Sequence, residues 1–130
     1  MKGKHVSALL AALVLTVWTG AASGDELALS NKWRIEVSGG ANSDGTLSFR
    51  ITPKDGQPID VAIPIDDGRG ENNVAEDIRN GLGKALDGKP FDVEVDDGED
   101  ILVRKKDGTD FEVKLVASTV RNVHVEIERE

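Results

Sequence analysis

Three groups of side chains in the 130-residue sequence have types and spacings that could support chemistry. His124 is a candidate for proton transfer, because imidazole is the usual general base near neutral pH. Six carboxylates between positions 92 and 100 offer the hard oxygen ligands that calcium prefers. Arg104, Lys105 and Lys106 form the only basic cluster of the sequence. What each group does depends on the strands and turns that carry it.

His124 lacks the companions that catalysis requires. The sequence supplies no recognisable nucleophile and orienting acid for it, so we assign no catalytic residue and expect no enzymatic activity. His124 also falls at an even position of the last predicted strand, where it faces water. The absence of cysteine excludes cysteine nucleophiles and thiolate zinc sites. We predict no bound cofactor.

Strand and turn chemistry explains the acidic run without a metal. Its members are Asp92, Glu94, Asp96, Asp97, Glu99 and Asp100. Their spacing does not match the twelve-residue calcium loop, which ends in a distant glutamate. Alternation places the even-numbered acids before the turn on the wet side of a strand, and Asp-Gly at 97–98 is typical of a turn. We therefore assign no metal ligand here or to a second acidic group, Asp66, Asp67 and Glu71.

The basic cluster has two explanations. Because it follows directly after the acidic run, pairing across a hairpin is the simpler one. The alternative is a partner-binding surface, for which Arg104, Lys105 and Lys106 are our candidates.

The N-terminus predicts export. Lys2 and Lys4 form a basic start, residues 6–18 carry no charge, and residues 19–24 are all small. This order is typical of a secretory signal peptide, and the apolar run is shorter than the roughly 20 residues that a membrane span needs. We expect cleavage after Ala22 or Gly24 and no stable membrane insertion afterwards. Residues 1–24 are then the signal peptide, and residues 25–130 form one domain of a periplasmic or secreted protein.

Net charge restricts the class of partner. The sequence has 16 basic and 24 acidic residues and a formal charge of −8. Loss of Lys2 and Lys4 with the signal peptide leaves 14 basic residues against 24 acidic ones, a charge of −10. Nucleic acids and anionic membranes bind clustered Lys and Arg, so this balance argues against both and permits a cationic partner.

Period-two alternation of apolar and polar residues predicts six or seven strands with one dry face. The dry positions are odd-numbered, from Trp33 to Ile127. Three Asp-Gly turns at 55–56, 97–98 and 107–108 predict hairpins with three-residue loops and a left-handed glycine. The pairs that this register predicts are Ile51 with Ile59, Phe49 with Val61, Leu47 with Ile63, Val93 with Ile101, Phe91 with Val103, Val103 with Phe111, Ile101 with Val113, and Arg104 with Asp110.

One helix is predicted between the two groups of strands. Asn73 and Glu76 have capping-box spacing, and Gly88 and Pro90 end the segment, so the helix should span 73–87. Its apolar stripe is Val74, Ile78, Leu82 and Leu86. Pro64 indicates that the third strand lies at or near a sheet edge.

These elements predict an α+β fold in the order β-β-β-α-β-β-β(-β), with an antiparallel strand-rich sheet and the helix packed on one face. Residues 45–118 resemble a small β-β-α-β-β module found in flagellin, hook-associated proteins and some phage tail proteins. The matching segments are 45–49, 73–78 and 91–98. The resemblance implies this fold and an adhesive or structural role, and it transfers no functional residue.

We therefore expect an exported, non-enzymatic protein that acts as a protein-binding or structural module of the cell envelope. The expected partner is another exported or envelope macromolecule, most simply a protein. Two alternatives stay open. One is a small acidic inhibitor of a secreted hydrolase, and the other is a calcium-dependent structural module.

Overall fold

The computed structural model describes residues 27–130, which form seven strands and one helix. The elements are β1 (Lys32–Ser38), β2 (Gly45–Pro53), β3 (Ile59–Ile65), α1 (Glu71–Ala85), β4 (Phe91–Asp96), β5 (Asp100–Lys105), β6 (Phe111–Ser118) and β7 (His124–Arg129). This confirms the α+β class and the predicted order of elements. The predicted signal peptide lies outside the described residues.

The strands form two antiparallel sheets instead of one. The four-stranded sheet has the order β4-β5-β1-β7, and the three-stranded sheet has the order β3-β2-β6. Seven strands about 4.8 Å apart would make a sheet roughly 30 Å wide, whereas a helix is about 10 Å across. Because one helix cannot cover that face, the two apolar faces bury each other.

The first hairpin has the predicted register. Ile51 lies opposite Ile59, and the pairs formed by Phe49 and Leu47 are also as expected. Gly56, however, is not in the left-handed conformation. The connection between the strands is the longer segment 54–58. The outer position of β3 confirms the edge expected from Pro64.

The second hairpin is shifted by two residues from the prediction. Val93 pairs with Val103, and Asp96 pairs with Asp100. Asp97 and Gly98 both have positive φ angles, 54° and 80°, so the turn is centred one residue later than expected. A shift of two residues keeps every side chain on its predicted face.

The third predicted hairpin is wrong, because β5 does not pair with β6. Instead, β5 lies between β4 and β1, while β6 pairs with β2. The turn at 107–108 carries the chain from one sheet to the other. Val103 therefore lies opposite Trp33, and Phe111 lies opposite Pro53. Alternation cannot distinguish these partners, because every strand offers the same apolar face.

The helix begins and ends two residues earlier than predicted. Gly70 is its N-cap residue and forms no side-chain cap, so the predicted cap at Asn73 is wrong. Glu71 lies in the first turn, where a carboxylate stabilises the helix dipole, and its Oε1 accepts a hydrogen bond from the Gly39 amide at 3.1 Å. The predicted stripe from Val74 to Leu86 is buried.

The helix closes the opening between the two sheets. It contacts the edge strands β3 and β4, while the other two edge strands, β6 and β7, contact each other. At Gly81 an added Cβ would lie 2.7 Å from Cγ1 of Ile63, so the missing side chain allows this close approach. Buried residues from both sheets and from the helix form one core.

Within residues 27–130, the helix is neither long enough nor apolar enough to cross a membrane.

Candidate functional site

The outer side of the four-stranded sheet carries a dense cluster of charged side chains. The strand register arranges its side chains in three rows that run from β4 through β5 and β1 to β7. The rows are Asp96, Asp100, Glu36 and Glu126; then Glu94, Leu102, Arg34 and Glu128; then Asp92, Arg104, Lys32 and Glu130. We call these twelve positions the acidic sheet face. It holds eight carboxylates and three cations.

Arg34 is the central cation of the acidic sheet face. Its guanidinium donates hydrogen bonds to Asp100 at 2.7 Å, to Glu130 at 3.0 Å and to Asp96 at 3.2 Å. The bonds to Glu130 and then Asp100 raise the pKa of Arg34, and the bond from Arg34 lowers the pKa of Glu130. One arginine thus neutralises part of the charge of three carboxylates from β4, β5 and the C-terminus.

A second acidic set lies beside these pairs. Carboxylate oxygens of Glu36, Glu126 and Glu128 all lie within 4.8 Å of one another. Loss of hydration, followed by repulsion from Glu128, Asp100 and Glu126, raises the pKa of Glu36. The three glutamates come from β1 and β7, about 90 residues apart, so sequence spacing did not reveal them. The alternating acids at 126 and 128 were the only available signal.

The fold places four acids of the predicted acidic run on the acidic sheet face and the other two in a turn. Asp92 is paired with Arg104 at 2.8 Å, whereas Asp96 and Asp100 bind Arg34. Asp97 and Glu99 lie in the turn between β4 and β5. The expected combination of strand alternation and turn chemistry is therefore confirmed.

The second acidic group is also dispersed. Asp66 and Asp67 are exposed in the connection before α1, where the Asp67 amide donates to Asp44 Oδ1 at 2.8 Å. Glu71 is held by Gly39 in the first turn of the helix, as described above.

The structure separates the three basic candidates. Arg104 lies on the acidic sheet face and pairs with Asp92, which matches pairing across a hairpin. Lys105 points the other way, with its side chain only 13% exposed and its Nζ 5.6 Å from the centre of the Phe91 ring. Lys106 is exposed at the end of the fold. The three residues therefore do not form one patch.

The histidine candidate lies on the same outer side of the sheet as the acidic sheet face, in the row beyond Glu36 and Glu126. His124 is exposed at the first position of β7, opposite Ser38. Its outward orientation is the one expected from its even position.

No protein-family model matches this chain, and no curated protein is significantly similar to it. The resemblance of residues 45–118 to the flagellar and phage tail module therefore stays a prediction.

One carboxylate, that of Glu112 in β6, is buried. Glu112 is only 4% exposed, although its even position predicts an outward side chain. Its Oε2 accepts a hydrogen bond of 2.9 Å from the Ala28 amide, and the neighbouring residues Ser30 and Phe111 exchange two backbone hydrogen bonds. Residues 28–30 thus cover this side of β6, a contact that alternation within a strand cannot reveal.

Proposed function

We propose that this protein is an exported, non-enzymatic binding module of the cell envelope that docks a cationic protein surface. The observation that carries the proposal is the acidic sheet face, where eight of twelve adjacent positions are carboxylates and only three are cations. The only depression found on this face among the described residues has a volume of about 160 Å³, below the roughly 300–1,000 Å³ of ligand pockets, so the face suits contact with a macromolecule better than enclosure of a small substrate.

The net charge of the acidic sheet face determines which partners it attracts. Its net charge of −5 is concentrated on one side of a chain whose overall charge is −8. Such a face accelerates encounter with a cationic partner and repels anionic ones. The interaction acts over about 8 Å at physiological ionic strength, so salt should weaken it.

The row from Asp96 to Glu126 is the most acidic of the three rows. It contains four acids and no cation, and Arg34 compensates only the two at the β4–β5 end. Cationic side chains from a partner would complete the neutralisation of Glu36 and Glu126.

Charge reversal on this face tests the proposal. A triple variant, Glu94→Lys, Glu126→Lys and Glu128→Lys, alters three exposed residues of the face. A matched control, Asp66→Lys, Asp67→Lys and Asp87→Lys, makes the same change in charge at exposed positions elsewhere. Each purified protein is used to capture partners from an envelope extract, which are identified by mass spectrometry.

We expect a basic protein to be captured by the wild type and the control, and at least tenfold less by the face variant. Added salt should release it. An inhibitor would show itself if the captured protein is a hydrolase whose activity falls on binding. Equal capture by both variants contradicts the proposal, as does turnover of a substrate by protein free of contaminating activity.

A further inference from the structure

A second surface of different chemistry lies where α1 ends. Below the C-terminus of the helix, the opening between β3 and β4 forms a groove of about 330 Å³. Pro58, Ile59, Pro90 and Phe91 form most of its apolar wall, and Lys89 and Lys105 are its charged residues. Among the described residues, no carboxylate lines it. We call it the terminal groove.

Lys105 brings a poorly compensated charge to this groove. Its side chain is 13% exposed, and its Nζ makes one hydrogen bond of 2.8 Å, to the neutral hydroxyl of Thr109. Its ion pair with Asp107 is long, at 4.0 Å. An ammonium group that is mostly buried has three donors, and an anion that replaces the lost water stabilises it. Lys105 can therefore accept a further carboxylate.

The charge of the whole chain limits how anionic the occupant can be. With 24 acidic and 16 basic residues, the protein repels a polyanion. A ligand that is apolar and carries a single carboxylate avoids most of this repulsion and still matches the two lysines. The carboxyl terminus of a polypeptide that ends in an apolar residue has this chemistry.

The proposed function favours a peptide over another apolar acid, because the partner that it calls for is a protein. The volume is also near the lower end of the roughly 300–1,000 Å³ of ligand pockets, which suits one or two side chains.

We propose that the terminal groove binds the carboxyl-terminal residue of a partner polypeptide. Its apolar side chain packs against Ile59 and Phe91, and its terminal carboxylate lies between Lys89 and Lys105. This inference rests on the proposed function in that the ligand is a protein, but it uses a surface separate from the acidic sheet face.

The site is tested by removing charge from the ligand, as the peptide carboxamide, and from the protein, at Lys89 and Lys105. The probe is a fluorescein-labelled peptide GSGSALL, made with a free carboxylate and as the carboxamide, and binding is followed by fluorescence anisotropy. We expect the carboxylate form to bind at least tenfold more tightly. Lys89→Met and Lys105→Met should each reduce that preference, and the double variant should abolish it. Lys114→Met, at an exposed position of β6, is the control that should retain it.

Circular dichroism establishes that each variant is folded, and exposed Lys89 keeps the test usable should the Lys105 variant fail. Equal binding of the two peptide forms overturns the proposal, as does binding of neither. Binding of decanoate without either peptide would make the groove a fatty-acid site and also overturn it.

The two proposals fail separately. The triple variant of the acidic sheet face should lose the captured protein and keep the preference for the carboxylate peptide. Capture through the face without any peptide preference contradicts the terminal groove alone. A clear peptide preference without capture of a basic protein contradicts the acidic sheet face as the docking surface.

Discussion

The indole Nε1 of Trp33, on the four-stranded sheet, donates a hydrogen bond of 2.9 Å to the backbone oxygen of Phe111, on the three-stranded sheet. Trp33 is 5% exposed and Phe111 is fully buried. The same oxygen accepts a second hydrogen bond from the Ser30 amide at 3.0 Å. A directional bond thus aligns the two sheets within a core that is otherwise held together by apolar contacts.

Trp33→Phe should destabilise the fold by about 1–3 kcal/mol. The change removes one buried hydrogen bond and leaves a cavity where the second ring was. Urea unfolding followed by far-UV circular dichroism measures the loss. Val116→Ala, at a residue 44% exposed, is the control and should stay within about 0.5 kcal/mol of the wild type. An equally small effect at Trp33 would contradict the role assigned to it.

Replacing each of two glycines of α1 by alanine should change the stability of the protein in opposite directions. Gly83→Ala should stabilise the protein by up to about 1 kcal/mol, because no atom outside the adjoining helix backbone lies within 4 Å of the added Cβ and alanine favours helix. Gly81→Ala should cost about 1–3 kcal/mol, because its Cβ would overlap with Ile63, which is 3% exposed. Thermal unfolding of both variants measures the contrast. Stabilisation by both would show that the helix can move away from β3.

Glu36 should make the protein less stable as the pH rises. A raised pKa means that the folded chain holds the Glu36 proton more tightly than the unfolded chain does. Its contribution is therefore fully present below the ordinary glutamate value near 4.5 and is lost as the pH rises through the folded-state pKa. Glu36→Gln should be more stable than the wild type at neutral pH, with a flatter profile above pH 4.5. Urea midpoints across this range test the sign.

Glu130→Gln is a matched control, because its effect on stability at neutral pH should be opposite to that of Glu36→Gln. Its lowered pKa stabilises the fold above the ordinary value near 4.5, and that contribution is lost as the pH falls through the folded-state pKa. Glu130→Gln should therefore lose stability at neutral pH and be less sensitive to acid. If Glu36→Gln and Glu130→Gln shift the midpoint in the same direction at neutral pH, the assignment of the two environments is wrong.

Glu112→Ala should loosen residues 28–30 while leaving the sheets in place. Without the carboxylate, the Ala28 amide loses its acceptor, which should cost about 1–3 kcal/mol locally. Amide hydrogen exchange should accelerate at residues 28–30 and stay unchanged in β1 and β5. Lys114→Ala, at an exposed position of the same strand, should alter neither region. Unchanged exchange at Ala28 after loss of Glu112 would contradict the anchoring role.

The sequence alone determined the class of fold, the order of its elements and the face on which most side chains lie. These features are local. Alternation assigns the inward face of Trp33 or Phe49 whichever strand lies beside it, and the short β2–β3 connection brings Ile51 opposite Ile59 within a few residues. The helix stripe from Val74 to Leu86 follows in the same way from its spacing.

Only the tertiary structure decided which strands are neighbours, and therefore where both candidate surfaces lie. The acidic sheet face exists because β1 lies between β5 and β7, which brings Glu36 beside Glu126. The terminal groove exists because β3 and β4 belong to different sheets, which places Ile59 near Lys105. Strands with the same alternation compete for the same partners. The choice among them depends on how the apolar faces of the whole chain pack together, and no short segment of sequence contains that information.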